Sequence, residues 1–468
     1  MWNFENHKNR LAVIDDKGAS LTYDQLNKES RALANVVGDR CLVFSLCKNG
    51  IGSVLGYVSF LNHGIVPVML NSHLETELLE HLLEIYQPSF LWVPEERIRQ
   101  FPDMDCVYQI FGYGLLRTPY HTEYPLYKEL GLLLTTSGST GSPKLVRQSY
   151  ENILVNATSI VQYLELNEME RPITTLPMNY TYGLSIINSH LLAGATLLLT
   201  EKSLMQKEFW EFLKEEGATS FGGVPYTYEI LEKLRFMKMD LPKLKTMTQA
   251  GGKLTPKLHE KFARYAKENG KKFIVMYGQC EATARMGYLP FEKAVEKKGS
   301  MGIAIPGGVF HLIDTEGNVI QTPYVTGELV YEGKNVTLGY AECGDDLRKG
   351  DERHGELQTG DMAQFDEEGY YYIVGRKKRF LKIYGNRVNL DETERMIKGH
   401  FGIEVASAGM DDKLYLFITE EALVEPVKDF MIKKTGFHPN AFQVMIIDKI
   451  PKNDSGKILY RELEKYYG

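Results

Sequence analysis

The residue types best suited to chemistry gather at 136–144, in the string TSGSTGSPK. It follows the apolar run LLLT, which reads as a strand. Gly138 and Gly141 let the backbone turn tightly and turn N–H groups toward an anion. Thr136, Ser137, Ser139 and Thr140 add hydroxyl donors, and Lys144 adds a compact positive charge. Such a set suits phosphate. A flexible Ser/Gly linker is the competing reading, yet linkers seldom follow a buried strand. The string is not a Walker A loop, because Pro143 stands where that loop has the Gly before its Lys.

The elements that must hold this loop are visible as alternating texture. In residues 1–130, helix-like stretches such as LTYDQLNKESRALANVV and LLEHLLEIY alternate with short apolar runs, CLVFSL, GIVPVML and SFLWV. The alternation continues through PITTLPM, ATLLLT, TSFGGV and KFIVMYG, which predicts βαβ units and parallel sheet. After about residue 300, short strands separated by Gly and acidic turns predict a β-rich subregion. The run RKKRFLKIYGNR at 376–387 carries six basic residues and no acid. Beyond it, helix, strand, helix and strand patterns predict a small α+β module of about 90 residues, with a boundary near Lys378.

Composition narrows the classes. With 468 residues, 43% hydrophobic and 25% charged, the chain has globular composition and room for two to four domains. Its net charge of −7 argues against a nucleic-acid partner. The five cysteines are odd in number and form no CxxC pair, so a reducing compartment, the cytoplasm, is expected. No secretory leader pattern opens the sequence. The most apolar stretch, residues 184–200, holds Asn188 and His190 and reads as a buried core element and not an integral membrane segment.

Seven strings in order resemble the adenylate-forming (AMP-binding) superfamily, which includes acyl- and aryl-CoA synthetases, luciferases and the adenylation domains of peptide synthetases. They are TSGSTGSPK, LPMNYTYGLS (176–185), TMTQAGGKL (246–254), MYGQCEATARM (276–286), TGELVYEGKNVTLGY (326–340), LQTGDMAQFDEEGYYYIVGR (357–376) and PKNDSGKILYREL (451–463). The resemblance implies a fold of α/β plus α+β class. A large N-terminal domain, 1–377, would stack α/β layers with a β-rich subregion. A small mobile C-terminal α+β domain, 378–468, would rotate on a hinge near Lys378.

The implied chemistry joins a small carboxylic acid to ATP, releasing pyrophosphate, and then moves the acyl group to a thiol. The loop 136–144 would hold the outer phosphates. Glu281, alone as readily a salt-bridge partner, would hold Mg²⁺, joined by Thr140. Gly251 and Gly252, alone an ordinary turn, would let adenine approach the backbone, with Tyr277 stacked on its other face. Asp361, alone a turn aspartate, would accept the ribose hydroxyls. Arg376, alone a surface charge, would reach the ribose or α-phosphate. Lys457, alone a solvated lysine, would bridge the carboxylate and the α-phosphate in the first step. Tyr180, Tyr182, Gly223, Val224 and Met286 would line the acyl pocket. Lys382 and Gly385 would line the thiol tunnel.

Two positions depart from the family pattern. Cys280 stands where Thr is usual, and a thiol donates more weakly than a hydroxyl. Tyr180 stands where amino-acid-activating relatives carry an Asp, which argues against an α-amino acid substrate, since a buried ammonium needs a counter-charge. The acceptor arrives in trans. CoA is expected; a free-standing carrier protein with its phosphopantetheine is the rival. From residue 379 onward there are 14 basic and 14 acidic residues, a weak invitation to an acidic carrier. From a different class, a non-catalytic nucleotide-binding module is the alternative, against which Lys144, Glu281, Asp361, Arg376 and Lys457 argue.

Overall fold

The computed structural model describes residues 1–120, 124–135, 144–377, 379–384, 386–410, 412–453 and 456–467; of residues 380, 382, 386 and 387 it describes the backbone alone. An eight-stranded sheet is built around parallel strands Leu42–Cys47, Val66–Asn71, Phe90–Pro94 and Leu130–Thr135. The first of these is buried along its whole length, which its uninterrupted LVFSLC requires. A nine-stranded sheet runs Leu11–Asp15, Leu197–Leu199, Pro172–Ile173, Ser220–Gly223, Thr246–Gln249 and Lys272–Tyr277 in parallel neighbours.

Helices Ile51–Asn62 and Thr181–Leu192 are buried on nearly every side, as helices enclosed between layers are. Val54, Leu55 and Leu184 share one core with Val13 and Leu197 of the larger sheet and Met69 and Leu132 of the other. The apolar stretch 184–200 is therefore core, as expected, but it is two elements. The helix ends at Leu192, Gly194 turns the chain at φ +72°, and Leu197–Leu199 is a strand.

A four-stranded antiparallel sheet, Gly308–Ile313, Gly327–Gly333, Glu356–Phe365 and Tyr371–Arg376, is the β-rich subregion. It encloses its own cluster, with Leu312, Leu329, Tyr331 and Ala363. The short strand Gly339–Ala341 leaves it and pairs antiparallel with Leu145–Ser149 at the edge of the eight-stranded sheet.

The C-terminal module keeps the expected order of helix, strand, helix and strand but adds one strand, Ala406–Met410, ahead of Lys413–Ile418. Helices Leu390–Phe401 and Val424–Thr435 pack on the sheet Ala406–Met410, Lys413–Ile418, Phe442–Ile446 around Ile397, Leu416, Val427 and Met431. Its separate core is what a small domain needs. Among the described residues, no helix is long and apolar enough to cross a membrane.

Candidate active site

Three parallel strands of the larger sheet, Ser220–Gly223, Thr246–Gln249 and Lys272–Tyr277, end side by side, in register from Gly223 to Gln249 to Val275. The loops beyond them begin with Val224, Ala250 and Gly278. Ligands of open α/β sheets bind at such carboxyl ends.

Gly251 adopts φ +82°, and an added Cβ there would lie 2.7 Å from Tyr180 Oη and 3.0 Å from Val224 Cγ1. The buried Gln249 amide fixes this turn by donating to the carbonyls of Ala250 (3.1 Å) and Gly252 (2.7 Å). Tyr180 and Tyr182 meet edge-on, with ring centroids 6.4 Å apart, and Tyr182 Oη shares a 2.8 Å hydrogen bond with Thr248 Oγ1. These side chains, with Ala250, Met276, Tyr277, Ala284 and Arg285, line a narrow pocket whose open interior is about 20 Å³, the room of one water.

Of the expected acyl-pocket residues, Tyr180, Tyr182 and Val224 share one apolar cluster beside this pocket. Met286 does not join them: it is buried in the core of the β-rich subregion with Phe310 and Tyr331. Its predecessor Arg285 takes the lining position. A Cβ on Gly223 would meet Thr227 and Tyr228, so its α-carbon faces the following helix.

Beside Tyr277, Asp361 is 2% exposed and fully engaged. Its Oδ2 accepts from Tyr277 Oη at 2.5 Å and Gln279 Nε2 at 2.9 Å, and Arg376 Nε stands 2.6 Å from its Oδ1. Burial pushes the Asp361 carboxyl up, while Arg376 and the two hydrogen bonds pull it back toward the charged form. The edge-strand pairing of Asp361 with Arg376 explains how residues 15 apart in sequence meet.

The strand Gly339–Ala341 assembles a second polar cluster. Tyr340 Oη donates to Glu281 Oε1 at 2.7 Å, and Lys144 Nζ lies 3.8 Å from the Tyr340 ring centroid. Lys144 and Glu281, 137 positions apart, are thereby brought to one tyrosine. The carboxylate keeps its second oxygen without a partner among the described residues, which fits Mg²⁺, an ion content with one carboxylate plus substrate phosphates. Arg353 stacks its guanidinium 4.7 Å from the same ring, and its Nη1 is buried without a hydrogen-bond partner.

Behind them, Arg147 is 0% exposed. It donates to the carbonyls of Tyr340 (3.0 Å), Leu338 (3.1 Å) and Gly350 (3.2 Å) and pairs with Glu352. This anchor holds the Tyr340 strand in place.

Lys457 enters from the C-terminal module. Asn453 Oδ1 accepts from its backbone N–H at 2.9 Å, and its Nζ stands 5.8 Å from the Tyr180 ring centroid. Burial, then the nearby Arg376, lowers its ammonium below the ordinary 10.5, and Cys280, Glu281 and Asp361 oppose that shift. Lys457 thus lies near Arg376, Cys280, Glu281 and Asp361 as well as the pocket. Cys280 is half-buried against the main core, and burial drives its thiol well above the usual range, which leaves it without nucleophilic character.

Thr136, Ser137, Gly138, Ser139, Thr140, Gly141, Lys378 and Gly385 lie outside the described residues, as does the Lys382 side chain. On either side of 378 the anchoring divides. Lys377 pairs with Glu328 at 2.6 Å, in the large domain. Arg379 pairs with Asp391 at 2.7 Å and Glu394 at 2.6 Å, in the module. Sequence reasoning passed over Arg285, Tyr340 and Arg353. Arg285 and Tyr340 fall inside the motif strings, and the signal for Arg285 was a charge among the small residues of EATARM. Arg353, in an acidic turn, had none.

Two α/β layers, strand-end glycines, and a lysine, a carboxylate pair and an arginine around one crevice define an enzyme architecture that binds a nucleotide beside a small pocket. The chain belongs to the AMP-binding enzyme family, whose family model matches residues 2–341. It is 25% identical to a 2-succinylbenzoate–CoA ligase of Geobacillus sp. (strain WCH70), across 97% of this chain and 94% of that protein. It is 28% identical to an oxalate–CoA ligase of Arabidopsis thaliana, across 72% of this chain and 67% of that one. Its fold matches the o-succinylbenzoate CoA synthetase MenE of Bacillus subtilis, solved with its acyl-adenylate, at a TM-score of 0.80 and 22% identity, covering 97% and 95% of the two chains.

Proposed function

We propose that this protein activates a carboxylic acid with ATP and passes the acyl group to CoA. The observation that carries the reading is the convergence of Lys457, Glu281, Asp361 and Arg376 around one pocket mouth. In the first half-reaction a substrate carboxylate oxygen attacks the α-phosphorus, and the bond to pyrophosphate breaks. Lys457 supports this step by setting its ammonium between the attacking carboxylate and the α-phosphate. Asp361 accepts the ribose hydroxyls, exchanging them for the Tyr277 and Gln279 hydrogen bonds. Gly251 and Tyr277 flank adenine. Lys144 and the loop 136–144, Thr140 included, take the outer phosphates. Glu281 would hold Mg²⁺, which supplies charge neutralisation on the phosphate oxygens.

In the second half-reaction the thiol sulfur attacks the acyl carbon, its proton leaves to solvent, and AMP departs. The divided anchoring around residue 378 supports a hinge there, with domains 1–377 and 378–468, that carries Lys457 away before the thiol enters. Gly385 and Lys382 then border the thiol's path. CoA is favoured over a carrier protein by the basic run 376–387: three of its cations are committed to internal ion pairs, which leaves few for a broad acidic face. The five cysteines are all unpaired, which supports the cytoplasm as the working compartment.

The test is pyrophosphate release from ATP and Mg²⁺ with a panel of acids, followed by thioester formation with CoA or holo-carrier protein at matched concentration. Release that depends on the acid supports the reading. Its absence with every acid refutes it, and thioester on carrier alone replaces CoA as acceptor.

A further inference from the structure

Arg285 is the one feature of the pocket that the proposed chemistry leaves unused. Its side chain is 2% exposed, and a guanidinium keeps its charge in a protein. Nε donates to Ser185 Oγ at 3.0 Å; Nη1 donates to Tyr163 Oη at 3.0 Å and lies 3.0 Å from Met276 Sδ. The guanidinium carbon sits 5.1 Å from the Tyr182 ring centroid. No carboxylate pairs with it among the described residues. The contrast with the other sunken arginines is plain. Arg147 faces Glu352, Arg379 faces Asp391 and Glu394, and Arg97 donates to the Ser72 carbonyl at 2.5 Å and Gln100 Oε1 at 2.7 Å. Hydroxyls, a thioether sulfur and a π face are weak acceptors for a full charge.

Among the described residues, no titratable neighbour supplies the missing negative charge. Burial holds the Tyr163 and Tyr182 phenols above their ordinary range, Tyr182 at about 12, so both are neutral. His190 is also neutral: burial lowers its imidazole to about 4, and Arg285 adds to that shift. Its Nδ1 bonds the Ile186 carbonyl at 2.8 Å, and its Nε2 is buried without a partner. The pocket lined by Arg285, Tyr182 and Met276 thus carries one uncompensated positive charge, and its other end reaches Tyr277 and Gly278 on the nucleotide side.

A buried cation is costly unless an anion meets it. We propose that the acid this enzyme activates carries a second anionic group, a second carboxylate, that pairs with Arg285 while the reacting carboxylate faces Lys457. The inference rests on the ligase reading and names its substrate class as short dicarboxylic acids. The same charge repels the ammonium of an α-amino acid, in agreement with Tyr180 at the position of the counter-ion. Because the closed pocket has room for one water, the substrate must part its walls. Tyr180 is among the half-buried walls.

The experiment compares succinate, glutarate and phthalate with butyrate, valerate and benzoate as pyrophosphate-releasing substrates, for the wild type, Arg285→Met and Arg285→Lys. The wild type is expected to favour the diacids by about 100-fold or more in kcat/KM, the scale of a desolvated charge pair. Arg285→Met, similar in length and apolar, should lose that factor for diacids and hold or gain activity on monoacids. Arg285→Lys should recover part of it. A purely structural role would depress both series together and leave the preference intact. Binding of AMP to each variant, measured by calorimetry, reports whether the fold survives. The wild-type panel decides the substrate class even if Arg285→Met fails to fold. Equal use of diacids and monoacids by the wild type overturns this inference and leaves the ligase reading standing, as does an unchanged preference in a folded Arg285→Met. Silence toward every acid overturns the ligase reading and this inference with it.

Discussion

Gly251→Ala isolates how tightly the adenine turn and the acyl pocket are built into each other. The backbone there sits at φ +82°, which for an L residue costs about 1–2 kcal/mol. The new methyl lands 3.0 Å from Val224 Cγ1 and 2.7 Å from Tyr180 Oη, while the next Tyr180 atom, Cζ, is 3.9 Å away. Val224 is packed in a closed cluster and cannot retreat. The collision with the hydroxyl therefore adds overpacking of about 1 kcal/mol or more. The expected loss is roughly 2–3 kcal/mol in denaturant unfolding. Displacing Tyr180 should also raise the half-saturating acid concentration.

The nearer of the two contacts is to one oxygen atom. Tyr180→Phe removes it and leaves 3.9 Å of ordinary contact to that ring, so the double variant should recover the hydroxyl's share of the overpacking and retain the backbone strain and the Val224 contact. A cycle of the two single variants and the double variant should thus show a coupling of about 1 kcal/mol, read from urea midpoints at constant slope. Strict additivity would refute the reasoning, because it would mean that the methyl never meets the phenol.

Lys457→Ala should lose most pyrophosphate release yet keep thioester formation from supplied acyl-adenylate; equal losses in both assays would remove the rotating module from the scheme. The wild-type adenylation rate should fall on the alkaline side below pH 10.5, because burial and Arg376 lower the Lys457 ammonium and the proton lost there is the charge facing the phosphate; Lys457→Arg should shift that limb upward in a pH–rate profile. Glu281→Gln should raise the half-saturating Mg²⁺ concentration or abolish release altogether, and an unchanged magnesium titration would place the ion elsewhere. Arg147→Met should cost about 3–5 kcal/mol of stability, because losing a fully buried guanidinium leaves the carbonyls of Leu338, Tyr340, Lys349 and Gly350, and Glu352, without their donor; a loss below about 1 kcal/mol in urea unfolding would deny it the anchoring role.

Most of the strands were legible because buried parallel strands are continuous apolar runs: CLVFSL and KFIVMYG became Leu42–Cys47 and Lys272–Tyr277 with little error. The terminal module was legible for the same reason, since its helix and strand periods alternate cleanly. Residues 184–200 were read as one buried element, because a helix sealed on all sides and a buried strand look alike in hydropathy. Only Gly194, in the left-handed region, marks the break. Asp361, Arg376, Glu281 and Lys457, which the structure gathers near one pocket, stood out in the sequence as members of ordered strings. Met286 was misplaced by one residue. A strand end exposes alternate faces, and the face that meets the pocket belongs to Arg285. Tyr340 is placed by a strand pairing nearly 200 residues distant, and Arg353 by its stacking on that tyrosine, which no local pattern encodes.

The pairing of Gly339–Ala341 with Leu145–Ser149 has a consequence for biogenesis. The hydrogen-bonding rim of Leu145–Ser149 leaves the ribosome about 190 residues before its partner exists. At roughly 5–20 residues per second, that rim waits about 10–40 seconds unpaired. Its apolar neighbour Leu130–Thr135 is already present, so the nascent chain displays a sticky ledge throughout this interval. Slow translation between residues 150 and 340 should therefore lower the soluble yield of this protein, and a holding chaperone should restore it.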